Sequence, residues 1–381
     1  MAKYFTLDEL IQRSAFTGNV EALAPGYDER ERRTPSGGCH LLDEGGLGKA
    51  ADFLRLAAPY ADALLSAARS VRSDEALSHL AWHCQGLLEE PVNEKGYSAA
   101  WPTPSPESDE GASTLWALVL LGALDGLKAR YRERAIPESI LIDTLSDFQV
   151  WMDHYKATTG RLGFGQVNWL RNHFVPRIFR LGRLQFAFEH FPFELRAFHR
   201  KPGSLALVDG AGRLVPAAGG APGAKVFDPS GWTEVVHQGC PTLGIHIPAS
   251  GPLDPVACGE SIHAAFAFFP KYFPGYDWKA MTCVSWLLDP QLEKSLGPDA
   301  NLSRFLREFY LFPVPGANDN QLWERVFGRR YDPWEEAPTD TSLRRAVIAH
   351  LRAGGKWANG GGLIVPEGYR WGGAMYREQA F

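Results

Sequence analysis

A histidine on the polar side of a short alternating segment is the first residue in this chain that suggests chemistry. Apolar and polar residues alternate from Thr242 to Ile247, which predicts a strand buried on one face, with His246 on the other face. An imidazole titrates near pH ~6.5 and can act as a general base in neutral solution. A histidine that only hydrogen-bonds to its neighbours and shapes the strand would give the same pattern. Both interpretations stay open.

Two pairs of residues on neighbouring segments could also transfer protons. Glu234 and His237 lie one strand-length before His246 and could reach a substrate through a water molecule, although a solvated strand explains them more simply. Ser285 and Cys283 alternate on one side of a second predicted strand, where a hydroxyl or a thiol could donate a proton. Cys283 is also of the size and type that commonly fills a buried position.

A basic segment precedes a third predicted strand. Residues Leu162–Gly182 include three arginines and no acidic residue, and Arg183 and Gln185 follow on one side of the strand. These two side chains could bind a phosphate group or an acidic acceptor. A solvated basic surface is the alternative.

Two other sequence patterns resemble functional motifs but are better explained by a structural role. His79 and His83 are one helical turn apart beside Cys84, but no glutamate lies between them as a zinc protease motif requires. A packed helix face explains them better, and we expect no metal. The glycine-rich segment Gly160–Gly165 does not follow a clear strand, so it indicates the end of a helix and a turn.

The segments that position His246 and Ser285 form a strand–helix–strand unit. After the strand Thr242–Ile247, Asp254 can cap a helix whose first position is Pro255. A second strand follows at Met281–Leu288. This order predicts an α/β unit in which the two strands are parallel and joined by a right-handed crossover.

The length of 381 residues predicts two domains, because a single hydrophobic core usually stops growing below this size. Residues 1–158 read mainly as helices, and residues 159–381 contain the strands. We therefore expect an α+β protein with a helical N-terminal region followed by a mixed sheet flanked by helices. The Gly/Ala/Pro-rich segment Gly210–Gly223 predicts a flexible loop.

Composition narrows the partners and the location. A net charge of −5 argues against general nucleic-acid binding. The five cysteines, Cys39 among them, are scattered without a CxxC pair, which favours a reducing compartment. The N-terminus has no apolar signal core, and the longest apolar stretch, Thr114–Leu124, is too short to span a bilayer. We expect a cytoplasmic protein without membrane contact.

Several segments together give the chain a family resemblance over roughly residues 140–365. The chain resembles the GNAT superfamily, and more narrowly a bacterial group of acyltransferase domain-containing proteins. The segments that carry the resemblance are Trp169–His173, Leu181–Phe186, His246–Leu253, Cys283–Pro290 and Asp340–Leu343.

The resemblance implies a binding site for acyl-coenzyme A. In GNAT folds two parallel strands splay apart, the pantetheine arm pairs with the first strand, and the following loop holds the pyrophosphate at a helix N-terminus. In this sequence the cofactor-binding residues would be Ile245 and Ile247 on the strand and Ala249, Ser250 and Gly251 in the loop.

The loop departs from the usual pattern of Gln or Arg, two residues, Gly, one residue, then Gly or Ala. It has Pro248, one glycine (Gly251) and Pro252, and the prolines remove two N–H donors. Either the donor lies differently, or this domain has lost coenzyme A.

The predicted function is transfer of an acyl group, most simply acetyl, from acyl-CoA to an amine or hydroxyl of a small-molecule or peptide acceptor. His246 would be the base, with Glu234 as an alternative, and Ser285 would protonate the leaving thiolate. Arg183 and Gln185 would bind the substrate. Direct transfer is expected because no covalent nucleophile stands out. The alternative is an inactive scaffold that binds a ligand or a protein.

Overall fold

The computed structural model describes residues 4–18, 20–34, 44–89, 101–104, 110–201 and 204–377. The chain separates into two compact units, Met1–Arg180 and Leu181–Phe381. The sequence analysis placed the boundary between the two domains after residue 158. Cys39 lies outside the described residues.

The described part of unit 1 is mainly helical, with one short pair of strands and a further strand that begins in its last residues and ends at the first residue of unit 2. Its elements are α1 (Leu7–Ser14), β1 (Phe16–Thr17), a 3-10 turn (Val20–Ala22), α2 (Tyr27–Arg32), α3 (Glu44–Phe53), α4 (Ala58–Ser73), α5 (Glu75–Glu89), β2 (Thr103–Pro104), α6 (Glu110–Gly122), α7 (Leu124–Glu133), α8 (Glu138–Leu145), α9 (Asp147–Thr159), α10 (Val167–Phe174) and β3 (Ile178–Leu181).

Local sequence signals account for several of these helix ends. Pro59 lies in the first turn of α4, where the missing N–H costs no hydrogen bond. Gly160 ends α9 in the left-handed conformation, with φ 73°. Every residue from Thr114 to Leu121 in α6 is buried, so the longest apolar stretch is a core helix. No helix of the described ranges is long and apolar enough to cross a membrane.

Unit 2 contains the remaining strands and helices. They are β4 (Leu184–His190), β5 (Leu195–His199), β6 (Ala206–Asp209), β7 (Leu214–Val215), β8 (Thr233–Val236), β9 (Pro241–His246), α11 (Pro255–Tyr272), β10 (Ala280–Ser285), a 3-10 turn (Trp286–Leu288), α12 (Gln291–Leu296), α13 (Asn301–Arg307), β11 (Tyr310–Pro313), α14 (Asn320–Leu322) with a π turn (Trp323–Phe327), a 3-10 turn (Trp334–Glu336), α15 (Ser342–Arg352) and β12 (Gly360–Ile364).

The strands form two larger sheets. One has the order β11-β12-β10-β9-β4-β3, in which β9 and β10 are parallel while β4–β9, β10–β12 and β11–β12 are antiparallel. The other is an antiparallel sheet of order β7-β6-β5-β8. The prediction of an α+β fold with a mixed sheet is confirmed.

The β9–α11–β10 unit has the predicted order and parallel strands, but β9 ends one residue early and Trp286–Leu288, predicted as strand, form a 3-10 turn. The side chain of Asp254 accepts a hydrogen bond from the backbone N–H of Ala257 at 2.9 Å, and Pro255 is the first residue of α11. Phe269 of α11 packs edge-to-face on Phe188 of β4, with ring centroids 5.4 Å apart. The capped helix therefore buries an aromatic face against the sheet.

The low-complexity segment Gly210–Gly223, for which composition predicts a flexible loop, contains regular backbone pairing. It contains β7, and Ala218 forms a parallel bridge to Leu311 at the edge strand β11. Backbone pairing with an edge strand does not need large side chains, so composition alone does not reveal it.

Candidate active site

The parallel pairing between β9 and β10 stops before either strand ends. Their ladder covers three residue pairs and ends where Gly244 lies beside Thr282. Beyond this point β9 continues to His246, paired with β4, and β10 continues to Ser285, paired with β12. The two strands therefore diverge at their carboxyl ends. An extended ligand with amide groups can pair with a strand edge of this kind.

The loop between β9 and α11 offers backbone donors at a helix start. The N–H groups of Ala249, Gly251 and Leu253 have no acceptor among the residues that the structure describes. They precede the N-terminal end of α11, which carries a partial positive charge. Gly251 has φ +75°, a conformation that suits glycine. N–H groups in this position can bind phosphate oxygens.

Arg183 braces this loop from the turn before β4. Its Nε donates to the carbonyl of Pro252 at 2.7 Å, and its two terminal nitrogens donate to the carbonyls of Pro248 and Gly251 at 3.1 Å each. A carbonyl and the next N–H point in opposite directions across a planar peptide. Since the guanidinium holds these carbonyls, the N–H groups that follow Pro248 and Pro252 are turned away from it.

A histidine–glutamate pair lies at the point where the ladder ends. His246 Nε2 donates to Glu189 Oε1 of β4 at 2.9 Å, and the two side chains are 31% and 36% exposed. The carboxylate of Glu189 lies directly over Gly244: a Cβ added at Gly244 would be 2.2 Å from Glu189 Cδ. The pair is thus held in place and remains accessible to a substrate.

Ser285 lies at the end of β10, on the other face of the sheet. Because Thr282 lies beside Gly244, strict alternation places His246 on the face of Thr282 and Ser285 on the face of Cys283. The Oγ atom of Ser285 accepts a hydrogen bond from Leu287 N at 3.2 Å. Its own proton can still be donated.

Cys283 is buried, and its thiol is expected to be unreactive. Burial raises the pKa of its thiol to about 12, with the charge of Glu189 as a smaller contribution in the same direction. A thiol with such a pKa stays protonated near neutral pH and is a poor nucleophile.

Two family models match this chain in sequence. The N-acyltransferase N-terminal domain matches residues 47–175, and the GNAT-like C-terminal domain matches residues 178–364. The chain belongs to the GNAT-like acyltransferases. The resemblance seen in the sequence is thereby confirmed, and it extends into the helical N-terminal region.

Solved structures of acyltransferases resemble this one over nearly the whole chain. An acyltransferase mutant in complex with octanoyl-CoA is 25% identical with a TM-score of 0.71, and 95% of this chain and 99% of that chain are covered. An acyltransferase in complex with decanoyl-CoA and teicoplanin is 24% identical with a TM-score of 0.69 over the same shares. A complex with decanoyl-CoA is 23% identical with a TM-score of 0.68, covering 95% and 100%. No curated protein matches the sequence significantly.

The structure of this acyltransferase groups some of the predicted site residues and separates another. His246, Ile245 and the loop residues lie together at the carboxyl end of β9 and just after it. Glu234 is on β8 in the four-stranded sheet, where its carboxylate pairs with Arg196 at 3.0 Å. Ile247 follows β9 and is half-buried.

The two residues predicted to bind substrate differ in their surroundings. Arg183 is occupied by three loop carbonyls, so it shapes the site through the loop. Gln185 is fully buried and lies opposite His246 in the β4–β9 ladder.

Sequence reasoning missed Glu189. Its signal was the alternation of Gln185, Ala187 and Glu189 on β4, which places all three on one face. Predicting that this face contacts His246 also requires the antiparallel register of β4 and β9, in which Gln185 lies opposite His246.

Proposed function

We propose that this acyltransferase transfers an acyl group of medium length from acyl-CoA to an amine of an acceptor. The observation that carries the proposal is the divergence of β9 and β10 beyond Gly244, followed by the N–H groups of Ala249 and Gly251, which have no acceptor among the described residues. A family model named for N-acyl transfer supports an amine rather than a hydroxyl. The octanoyl-CoA bound to a protein of 25% identity supports the donor class.

The donor would lie along β9 and end at the loop. The amides of pantetheine would pair with the backbone of Ile245 and Ile247, as an added strand does. The pyrophosphate would accept hydrogen bonds from Ala249 and Gly251, with Ser250 between them. Arg183 helps to compensate for the missing second glycine, because its hydrogen bond to the Pro248 carbonyl fixes the direction of the Ala249 amide.

Direct transfer follows from the groups near the end of β9. As the amine nitrogen bonds to the thioester carbon, its proton passes to His246, and collapse of the tetrahedral intermediate breaks the C–S bond. The thiolate of coenzyme A then takes a proton from water, because Ser285 lies on the opposite face of the sheet from His246. Glu234 has no part in this proposal, because its ion pair with Arg196 belongs to the other sheet.

The test is transfer measured by mass spectrometry. The protein is incubated with acetyl-, octanoyl- or decanoyl-CoA and amine-bearing acceptors, including teicoplanin, which one similar structure contains. An acylated product that resists alkaline hydroxylamine is an amide, whereas an oxygen ester is cleaved. Product with octanoyl-CoA that His246→Ala abolishes supports the proposal. Binding of acyl-CoA without any product would favour the inactive scaffold, and an ester product would refute amine transfer.

A further inference from the structure

Glu189 reaches His246 through a gap in the side chains of the sheet. In the β4–β9 register Gln185 lies opposite His246, Ala187 opposite Gly244 and Glu189 opposite Thr242. The contact between Glu189 and His246 is therefore diagonal, and it spans the pair in between. Only because that pair is alanine and glycine can the carboxylate lie flat across the sheet and come within 2.9 Å of Nε2.

Gly244 has no conformational reason to be glycine. It is a strand residue outside the left-handed region, and a glycine inside a strand loses more conformational entropy on folding than other residues. A Cβ there would lie 2.2–2.4 Å from the Cδ and both Oε atoms of Glu189. The glycine keeps a passage open for this carboxylate.

We infer that Glu189 is a positioning residue for the base His246, and that Gly244 is the device that admits it. This inference rests on the proposed function. By accepting from Nε2–H, the carboxylate selects the tautomer whose lone pair is on Nδ1 and fixes the orientation of the ring. When the amine of the acceptor attacks, its proton goes to Nδ1, and the ionised carboxylate stabilises the resulting imidazolium. Glu189 keeps its charge throughout.

The test combines a tautomer measurement with a rate measurement on the full chain. Histidine labelled with ¹⁵N reports the tautomer of each ring by NMR, and His246→Ala assigns the signal of His246. The variants are Glu189→Gln, which keeps the shape and removes the charge, and Gly244→Ala, which crowds the carboxylate without altering either partner. Glu367→Gln is the matched control, because it disrupts a second Glu–His contact, with His199 at 3.3 Å.

We expect the Nε2–H tautomer at His246 in the unmodified protein and in Glu367→Gln. Gly244→Ala should lose this preference, whereas Glu189→Gln should keep it because the amide oxygen can still accept from Nε2–H. Both variants should lower the transfer rate about tenfold, a part of what a positioned base contributes. Their Kd for octanoyl-CoA, measured by calorimetry, should stay the same.

An unchanged tautomer in Gly244→Ala, or an unchanged rate in either variant, would overturn the inference while the proposed function stands. No acyl-CoA binding and no transfer by the unmodified protein would instead overturn the proposed function.

Discussion

Replacing Arg183 with methionine should weaken acyl-CoA binding while leaving the fold intact. Methionine keeps most of the aliphatic length and removes the guanidinium, so the carbonyls of Pro248, Gly251 and Pro252 lose their donors. These hydrogen bonds are partly exposed, so each contributes only about 0.5–1 kcal/mol, roughly 2 kcal/mol in total. If this free energy holds the loop in its binding shape, Kd should rise about 30-fold.

Isothermal titration with octanoyl-CoA measures this effect directly. The Kd of Arg183→Lys should lie between those of the unmodified protein and of Arg183→Met. An ammonium can replace about one of the three contacts, because it lacks the planar fork of a guanidinium. Arg196→Met, which removes an arginine paired with Glu234 in the other sheet, is the control and should bind normally. A Kd for Arg183→Met within threefold of the unmodified protein would refute the idea that Arg183 shapes the loop.

Three further predictions concern packing and titration. Gly259→Ala should lower the free energy of unfolding by about 1–3 kcal/mol, because the new Cβ would lie 2.6 Å from Trp371 Cδ1. Ala264→Ser, on the exposed side of α11, is the control. Equal free energies of unfolding for the two variants in a denaturant titration would contradict this prediction. Cys283 should resist iodoacetamide at pH 8 in the native protein and react in denaturant, since burial raises its pKa to about 12; transfer lost in Cys283→Ala would revive a covalent mechanism. Burial also lowers the pKa of His83, so the folded protein keeps this ring neutral while the unfolded chain takes up a proton near pH ~6.5. The thermal midpoint should therefore fall as the pH is lowered from 7.5 to 5.5, and His83→Gln should remove most of that slope; equal slopes would exclude His83 as its source.

The pair His79 and His83 illustrates what helical spacing establishes and what it leaves out. Their spacing places them on one buried face of α5, as predicted, but it does not name their partner. Both donate to Glu31, at 2.8 Å each. Burial alone would raise the pKa of Glu31, yet hydrogen bonds from the two histidines lower it to about 2. A contact across about 50 positions of sequence depends on tertiary packing, which periodicity does not encode.

Local signals were sufficient for the unit that forms the candidate site. The alternation in Thr242–Ile247, the cap at Asp254 and the proline at Pro255 act within a few residues, so the strand, the helix start and the crossover were all predictable. The splay of β9 and β10 was implied by the family resemblance rather than by the residues themselves.

The partners within the site depended on strand register and could not be predicted. Glu234 was a reasonable choice because it lies near His246 in sequence, but the β8 strand pairs with β5 in another sheet. Glu189 is 57 residues from His246 and reaches it only through the β4–β9 register. The role of Arg183 as a brace likewise needs the position of a loop more than 60 residues away.

The central claim is that acyl-CoA binds at the open end of β9. The most direct measurement is isothermal titration of octanoyl-CoA and free coenzyme A into the protein and into Gly251→Val. Valine in a left-handed conformation costs about 1–2 kcal/mol and distorts the loop. Micromolar binding that Gly251→Val loses while staying folded is the predicted result. A folded unmodified protein that binds neither ligand, or a variant that binds as tightly, would contradict this placement of the donor.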